Sequence, residues 1–142
     1  MENKKNIRSE KLVLVDALVQ MSFQIQAVLS RLAADHDLSI IQLRLLGVLR
    51  DRTPGMLDLA RHLNLDKSSI TGLVDRAERR GLVQRNTTPE DGRAIRVSIT
   101  PHGLQIASEI TNQIEREINL LVTDLNDAER NHLVALLSQI IS

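Results

Sequence analysis

Between residues 56 and 100 the hydrophobic period of this chain changes from that of a helix to that of a strand, and few folds accommodate the change. Leu59 and Leu63, then Ile70, Leu73, Val74 and Ala77, recur at three- and four-residue steps. That spacing predicts two short helices, each with one apolar face. Ala60 is small where the two would cross, and Leu65 fills the corner between them. Asn64 stands at the corner itself, where it takes a left-handed conformation more readily than most residues. Gly81 then ends the second helix. Directly after it, "LVQRNTT" and "RAIRVSIT" read as strands joined by "PEDG", with Ile95, Val97 and Ile99 alternating along the second. The expectation is a helix-turn-helix with a β-hairpin attached.

Long helical patterns flank this core. Residues 10–35 lack glycine, and Leu14, Leu18, Met21, Ile25, Val28, Leu29 and Leu32 keep helical spacing. Val15, Val19 and Phe23 widen the apolar face, so this helix has to be covered on more than one side. Ser39 is an N-cap for a second helix through about Arg50, and "TPG" at 53–55 breaks the chain. Thr100 followed by Pro101 opens a long helix with Ile106, Ile110, Ile114 and Ile118 at steps of four. Asn126 and Glu129 form a capping-box pattern before a last helix striped by Leu133, Leu136, Leu137, Ile140 and Ile141. The fold class expected is mainly α with a small β-wing. Phe23 is the one aromatic residue in 142, so the core must be built from Leu, Ile, Val and Ala.

Several function classes drop out on composition. There is no cysteine, which excludes disulfides and thiolate metal sites and fits a reducing cytoplasm. The polar start "MENKKNIRSEK" and the short run "LVLVDALV", broken by Asp16, give no expectation of a secretion signal or membrane span. His36, His62, His102 and His132 are scattered, and "DHD" at 35–37 reads as a solvated linker, so no metal is expected. No nucleophile-base pairing or glycine-rich phosphate loop stands out; neither enzyme activity nor a cofactor is expected. Net charge is zero, but residues 61–100 hold eight Lys or Arg against five Asp or Glu, while residues 101–142 hold two against six. A basic middle and an acidic tail suggest separate faces for separate partners.

The basic middle has a particular arrangement. On the outer face of the second short helix stand Lys67, Ser68, Ser69, Thr71, Asp75, Arg76 and Arg79, with the hydroxyls in its first turns. A helix N-terminus with free N–H groups and hydroxyls suits phosphate and base-edge contacts in a DNA major groove. The candidate contacts are Lys67, Ser68, Ser69, Thr71 and Arg76. The hairpin carries Arg93 outward at its tip, and Asp91 two residues earlier is placed to stiffen the loop and aim it. A guanidinium held this way fits a minor groove about 6 Å wide.

The run "DKSSITGLVDRAERRGLVQRNTTPEDGRAIRVSITPHG" resembles the winged-helix core of the MarR family of bacterial transcription regulators. The family's hairpin pattern stands here as Asp91, Arg93, Val97, Ile99 and Thr100, and "LVDR" and "GLVQR" match as well. The resemblance implies one domain over residues 1–142, with dimerisation helices at 1–36 and 101–142 around a DNA-binding core at 38–100. It also implies an obligate homodimer that binds a pseudo-palindromic double-stranded DNA operator as a repressor and is released by a small aromatic or lipophilic effector. Two departures stand out. Gly72 occupies a position where many relatives carry a larger DNA-facing side chain, and Ala77 one where leucine is common. The alternative is a winged helix used as a protein-interaction module, its basic middle meeting an acidic partner.

Overall fold

The computed structural model describes the backbone of residues 2–88 and 91–141 and the side chains of residues 13–87 and 94–141. The described elements are α1 (Glu2–Asp35), α2 (Ile40–Leu49), α3 (Met56–Leu63), α4 (Lys67–Arg79), β1 (Val83–Thr88), β2 (Asp91–Ile99), α5 (Pro101–Leu121) and α6 (Asp127–Ile141). They fall into two compact units, Leu29–Asn112 and a second made of Met1–Val28 with Gln113–Ser142. Helices α1 and α5 each cross from one unit to the other, so the first unit takes in more than the span 38–100.

The Leu29–Asn112 unit is built on an aliphatic core. Leu45, Leu46 and Leu49 of α2, Leu59 and Leu63 of α3, and Ile70, Leu73, Val74 and Ala77 of α4 are all buried. Leu82, Val83 and Val97 close the core from the hairpin side, and Ile110 does so from α5. The turn residues follow the expected chemistry: Asn64 is left-handed at φ 54° and Gly81 at φ 72°. At the end of α4, Gly81 N–H donates to the Glu78 carbonyl at 2.9 Å and Leu82 N–H to the Ala77 carbonyl at 3.0 Å. These bonds satisfy carbonyls that the helix end would otherwise leave open and aim the chain into β1.

Two segments read as loops are more ordered than their composition suggested. "TPG" pairs with the far edge of β2: Val97 N–H donates to the Pro54 carbonyl at 2.9 Å, and Gly55 bridges Arg96. The Arg96 guanidinium adds a bond to the Thr53 carbonyl at 3.2 Å. "DHD" is not a free linker either. Asp37 is left-handed at φ 56°, and its N–H donates to the Ala34 carbonyl while Leu38 N–H donates to that of Ala33. Arg80 then donates to the carbonyls of Asp37 (2.5 Å) and His36 (3.1 Å), tying the end of α4 to the end of α1. Long-range partners of this kind leave no local trace in sequence.

In the other unit the capping box forms as expected, with Asn126 N–H to Glu129 Oε1 at 3.0 Å and Glu129 N–H to Asn126 Oδ1 at 2.8 Å. Arg130 donates to the carbonyls of Leu125 and Val122, holding the α5–α6 turn. The apolar stripes stay uncovered. Every side chain from Val13 to Gln24 of α1 is exposed, Phe23 to 65%, and α6 buries none of its residues. The apolar character of α1 also continues well past Asp16. Within Val13–Asp35, 23 residues, an 18-residue window reaches a mean hydropathy of 1.4, so by length and composition the segment is enough to cross a membrane.

One close approach locks the hairpin to α5. Thr100 caps that helix by accepting from Gly103 N–H at 3.0 Å and donating to the Gly81 carbonyl at 2.5 Å. A Cβ on Gly103 would stand 2.1 Å from the Leu82 carbonyl oxygen and 2.9 Å from Ile99 Cγ1. Both obstacles are fixed by the fold, so Gly103→Ala should cost about 2–3 kcal/mol by overpacking. Urea unfolding measures it; an unchanged midpoint would mean the contact is absent in solution.

Candidate nucleic-acid interface

The outer face of α4 exists because its inner face is fixed. With Ile70, Leu73, Val74 and Ala77 all at or below 1% exposure, the helix cannot rotate without opening the core. Lys67, Ser68, Ser69, Thr71 and Arg76 are each exposed. They do not form one patch. Lys67 and Thr71 border a cavity of about 780 Å³ lined by Met56, Leu57, Ala60, Leu65, Ile70 and Ile95, with Arg61 and Arg85 at its polar edge. Arg76 lies toward the other flank, beside a shallow cleft of about 530 Å³ shared with Asp37, Gln42, Arg79 and Arg80. Ile95, expected to anchor the hairpin to the core, is 43% exposed because it faces the apolar cavity instead.

The start of α4 needs one correction. Its N–H groups are not all free for a phosphate, since Asp66 caps the helix and accepts from Ser69 N–H at 2.7 Å. That backbone bond, helped by the Ser69 side chain, holds the Asp66 carboxyl below the usual carboxylate range. The helix dipole thus already faces an anion. Thr71 donates its hydroxyl to the Lys67 carbonyl at 2.8 Å, which leaves its oxygen lone pairs and methyl group for a ligand.

Strands β1 and β2 form the wing, antiparallel with Val83 opposite Ile99, Arg85 opposite Val97 and Thr87 opposite Ile95. The register then jumps, pairing Thr88 with Asp91, so residues 92–94 bulge from β2 without a partner among the described residues of β1. The backbone of Arg93 belongs to that bulge, three residues into the strand rather than in the turn. The side chains of Asp91 and Arg93 lie outside the described residues, as do Pro89 and Glu90.

Arg85 is the residue joining wing and helix that sequence reading missed. Its guanidinium reaches Asp75 Oδ1 at 2.5 Å and Glu78 Oε1 at 3.2 Å, and its backbone N–H donates to Glu78 Oε2 at 3.1 Å. It bridges two carboxylates on the helix that would face DNA, offsets one of their two negative charges and ties the wing to the helix. The available signal was two acids three residues apart on a solvent face, followed by one cation on the next strand.

A helix-turn-helix whose second helix is braced to a β-wing is a winged helix-turn-helix. The MarR family model matches residues 36–94. The HTH-type transcriptional repressor NicR of Pseudomonas putida is 30% identical over 116 residues, covering 81% of this chain and 73% of NicR. A protein named for transcriptional regulation of the hcr operon in Thauera aromatica is 35% identical over 82 residues, 58% of this chain and about half (49%) of that one. Among solved structures, BpsR of Bordetella bronchiseptica, described with regulation of its DNA binding by 6-hydroxynicotinic acid, is 26% identical. It superposes with a TM-score of 0.71 over 91% of this chain and 99% of its own. The chain belongs to the MarR family, whose members named here are transcription regulators.

The Arg85 brace predicts a coupled response. All three side chains are partly exposed, so Arg85→Ala should cost only about 1 kcal/mol in urea unfolding. Asp75→Asn should add nothing to Arg85→Ala, because the guanidinium is its partner and is already gone, whereas Glu78 still accepts from the residue 85 N–H. Additive losses would show that Asp75 and Arg85 act separately.

Proposed function

We propose that this chain is a cytoplasmic, dimeric transcription repressor that binds a pseudo-palindromic double-stranded DNA operator and is released by a small apolar acid. The observation that carries this reading is the pairing of an exposed polar face on α4 with a β-wing braced to it through Arg85. Lys67, Ser68, Ser69, Thr71 and Arg76 meet the major groove. Arg93, oriented by Asp91, enters the neighbouring minor groove, whose negative potential attracts a guanidinium.

The uncovered stripes favour a homodimer. Leu14, Val15, Leu18 and Val19 on α1, and Leu136, Leu137, Ile140 and Ile141 on α6, are exposed in a single chain. Apolar surface this extensive on a regulator is best covered by a second copy. The same reading accounts for the membrane-like hydropathy of Val13–Asp35, with a partner subunit as its apolar environment in place of lipid. Two-fold symmetry then sets two α4 helices against successive major grooves about 34 Å apart.

Release by a ligand requires a site that ligand and operator cannot both use freely. The cavity between α3, the first turns of α4 and the wing suits that role. Its wall is aliphatic, Lys67 and Arg85 offer positive charge, and both belong to the DNA-facing elements. No aromatic side chain lines it, so the effector is held by aliphatic contact and charge rather than ring stacking.

Fluorescence anisotropy with DNA upstream of the chain's own gene, at several salt concentrations, tests this reading. A steep loss of affinity with salt is expected, as phosphate contacts release counterions. Arg93→Ala should weaken binding at least tenfold, about 1.4 kcal/mol. Salt-insensitive binding, or binding indifferent to Arg93, would count against it and favour a protein partner.

A further inference from the structure

The middle of the recognition face contains an absence. At 100° per residue, Gly72 stands about 30° from the point directly opposite the buried stripe of α4, and Arg76 about 70° from it. The most outward-facing part of the second helical turn therefore has no side chain of its own. Arg76 fills the space: its Nη1 lies 3.2 Å, and its Cζ 3.9 Å, from where a Cβ on residue 72 would stand. Long side chains on a helix lean toward its N-terminus, and here the lean is four residues back, onto the glycine.

The nearby acids do not divert Arg76. Asp75 and Glu78 are both engaged by Arg85 across the wing. Among the described residues Arg76 makes no ion pair. Its guanidinium is thus unpaired among the described residues and lies over Gly72, beside the cleft that it shares with Asp37.

We propose that Gly72 and Arg76 act as one reading unit: the missing side chain at 72 lets Arg76 lie across α4 and read a guanine in each half-site of the operator. A guanidinium presents two parallel N–H donors, and the major-groove edge of guanine presents two acceptors, O6 and N7, at matching spacing. An arginine extended away from the helix would instead find a phosphate, which carries no sequence information. This inference rests on the DNA-binding reading above, and it makes Arg76 a specificity determinant rather than a charge.

Selection of bound duplexes from a random-sequence pool, run on wild type and variants, tests it. Wild type should enrich a two-fold symmetric motif with one strongly preferred guanine per half-site. Arg76→Ala and Arg76→Lys should both flatten that column at least tenfold, the lysine variant keeping more of the overall affinity, since it retains charge without the fork. Gly72→Ala should weaken the same column several-fold and Gly72→Leu abolish it, while thermal unfolding occurs no earlier than in wild type. Alanine and leucine are both better helix formers than glycine, so a lost preference cannot be laid to a lost fold. Gly72→Leu with Arg76→Ala should flatten the column no further than Arg76→Ala alone. If Arg76→Ala lowers affinity evenly across all columns, Arg76 is a phosphate contact and the proposal falls. If Gly72→Leu leaves the guanine column intact, the role of the glycine falls. A wild type that enriches no motif would instead overturn the DNA-reading function itself.

Discussion

The burial of one stripe on α4 is the constraint on which the rest depends. Ile70, Leu73, Val74 and Ala77 are buried, as are Leu45, Leu49, Leu59, Leu63 and Val97, and no buried polar side chain lies among the described residues. Each large aliphatic group there contributes roughly 1.5–3 kcal/mol relative to exposure. Rotating α4 by one residue would expose several of them at once. The outward face therefore has a definite orientation, and the polar residues on it are presented rather than merely solvated. Arg85 adds little stability, but it holds the wing to that orientation and offsets one of the two negative charges that Asp75 and Glu78 place on that surface.

Much of this was legible in the sequence because it rests on local rules. The change of period from 3.6 to 2, Asn64 at the corner, Gly81 after α4, and Thr100 before Pro101 each report a backbone requirement that few residues satisfy. The outer-face residues of α4 followed by subtraction once the inner stripe was known. What escaped was non-local. The bond from Val97 to Pro54, the cap that Arg80 places on the end of α1, and the Arg85 brace join segments separated by seven residues or more. Nothing in a single strand or helix pattern announces which arginine will turn inward to a carbonyl and which will remain outside. The occupied N-terminus of α4 was ambiguous for a different reason. Asp66 announces a cap, but the same position in sequence also fits a loop acid near an open anion site.

Gly72 illustrates how a departure from a pattern acquires meaning only in three dimensions. In the sequence it is a missing contact. In the structure its vacancy is filled from four residues away by Arg76. A loss at one position and a gain at another then become a single event, and base preference can differ between relatives that share a backbone.

The proposed symmetric pair of readers on one duplex rests on the exposed aliphatic faces of α1 and α6 and on the fixed outward face of α4. Hydroxyl-radical footprinting on a tightly bound duplex tests that most directly, since it reports spacing without altering the protein. The account predicts two equal protected patches on one face of the DNA, related by two-fold symmetry and centred about 10–10.5 base pairs apart. A single patch, or protection spread evenly along the duplex, would contradict it.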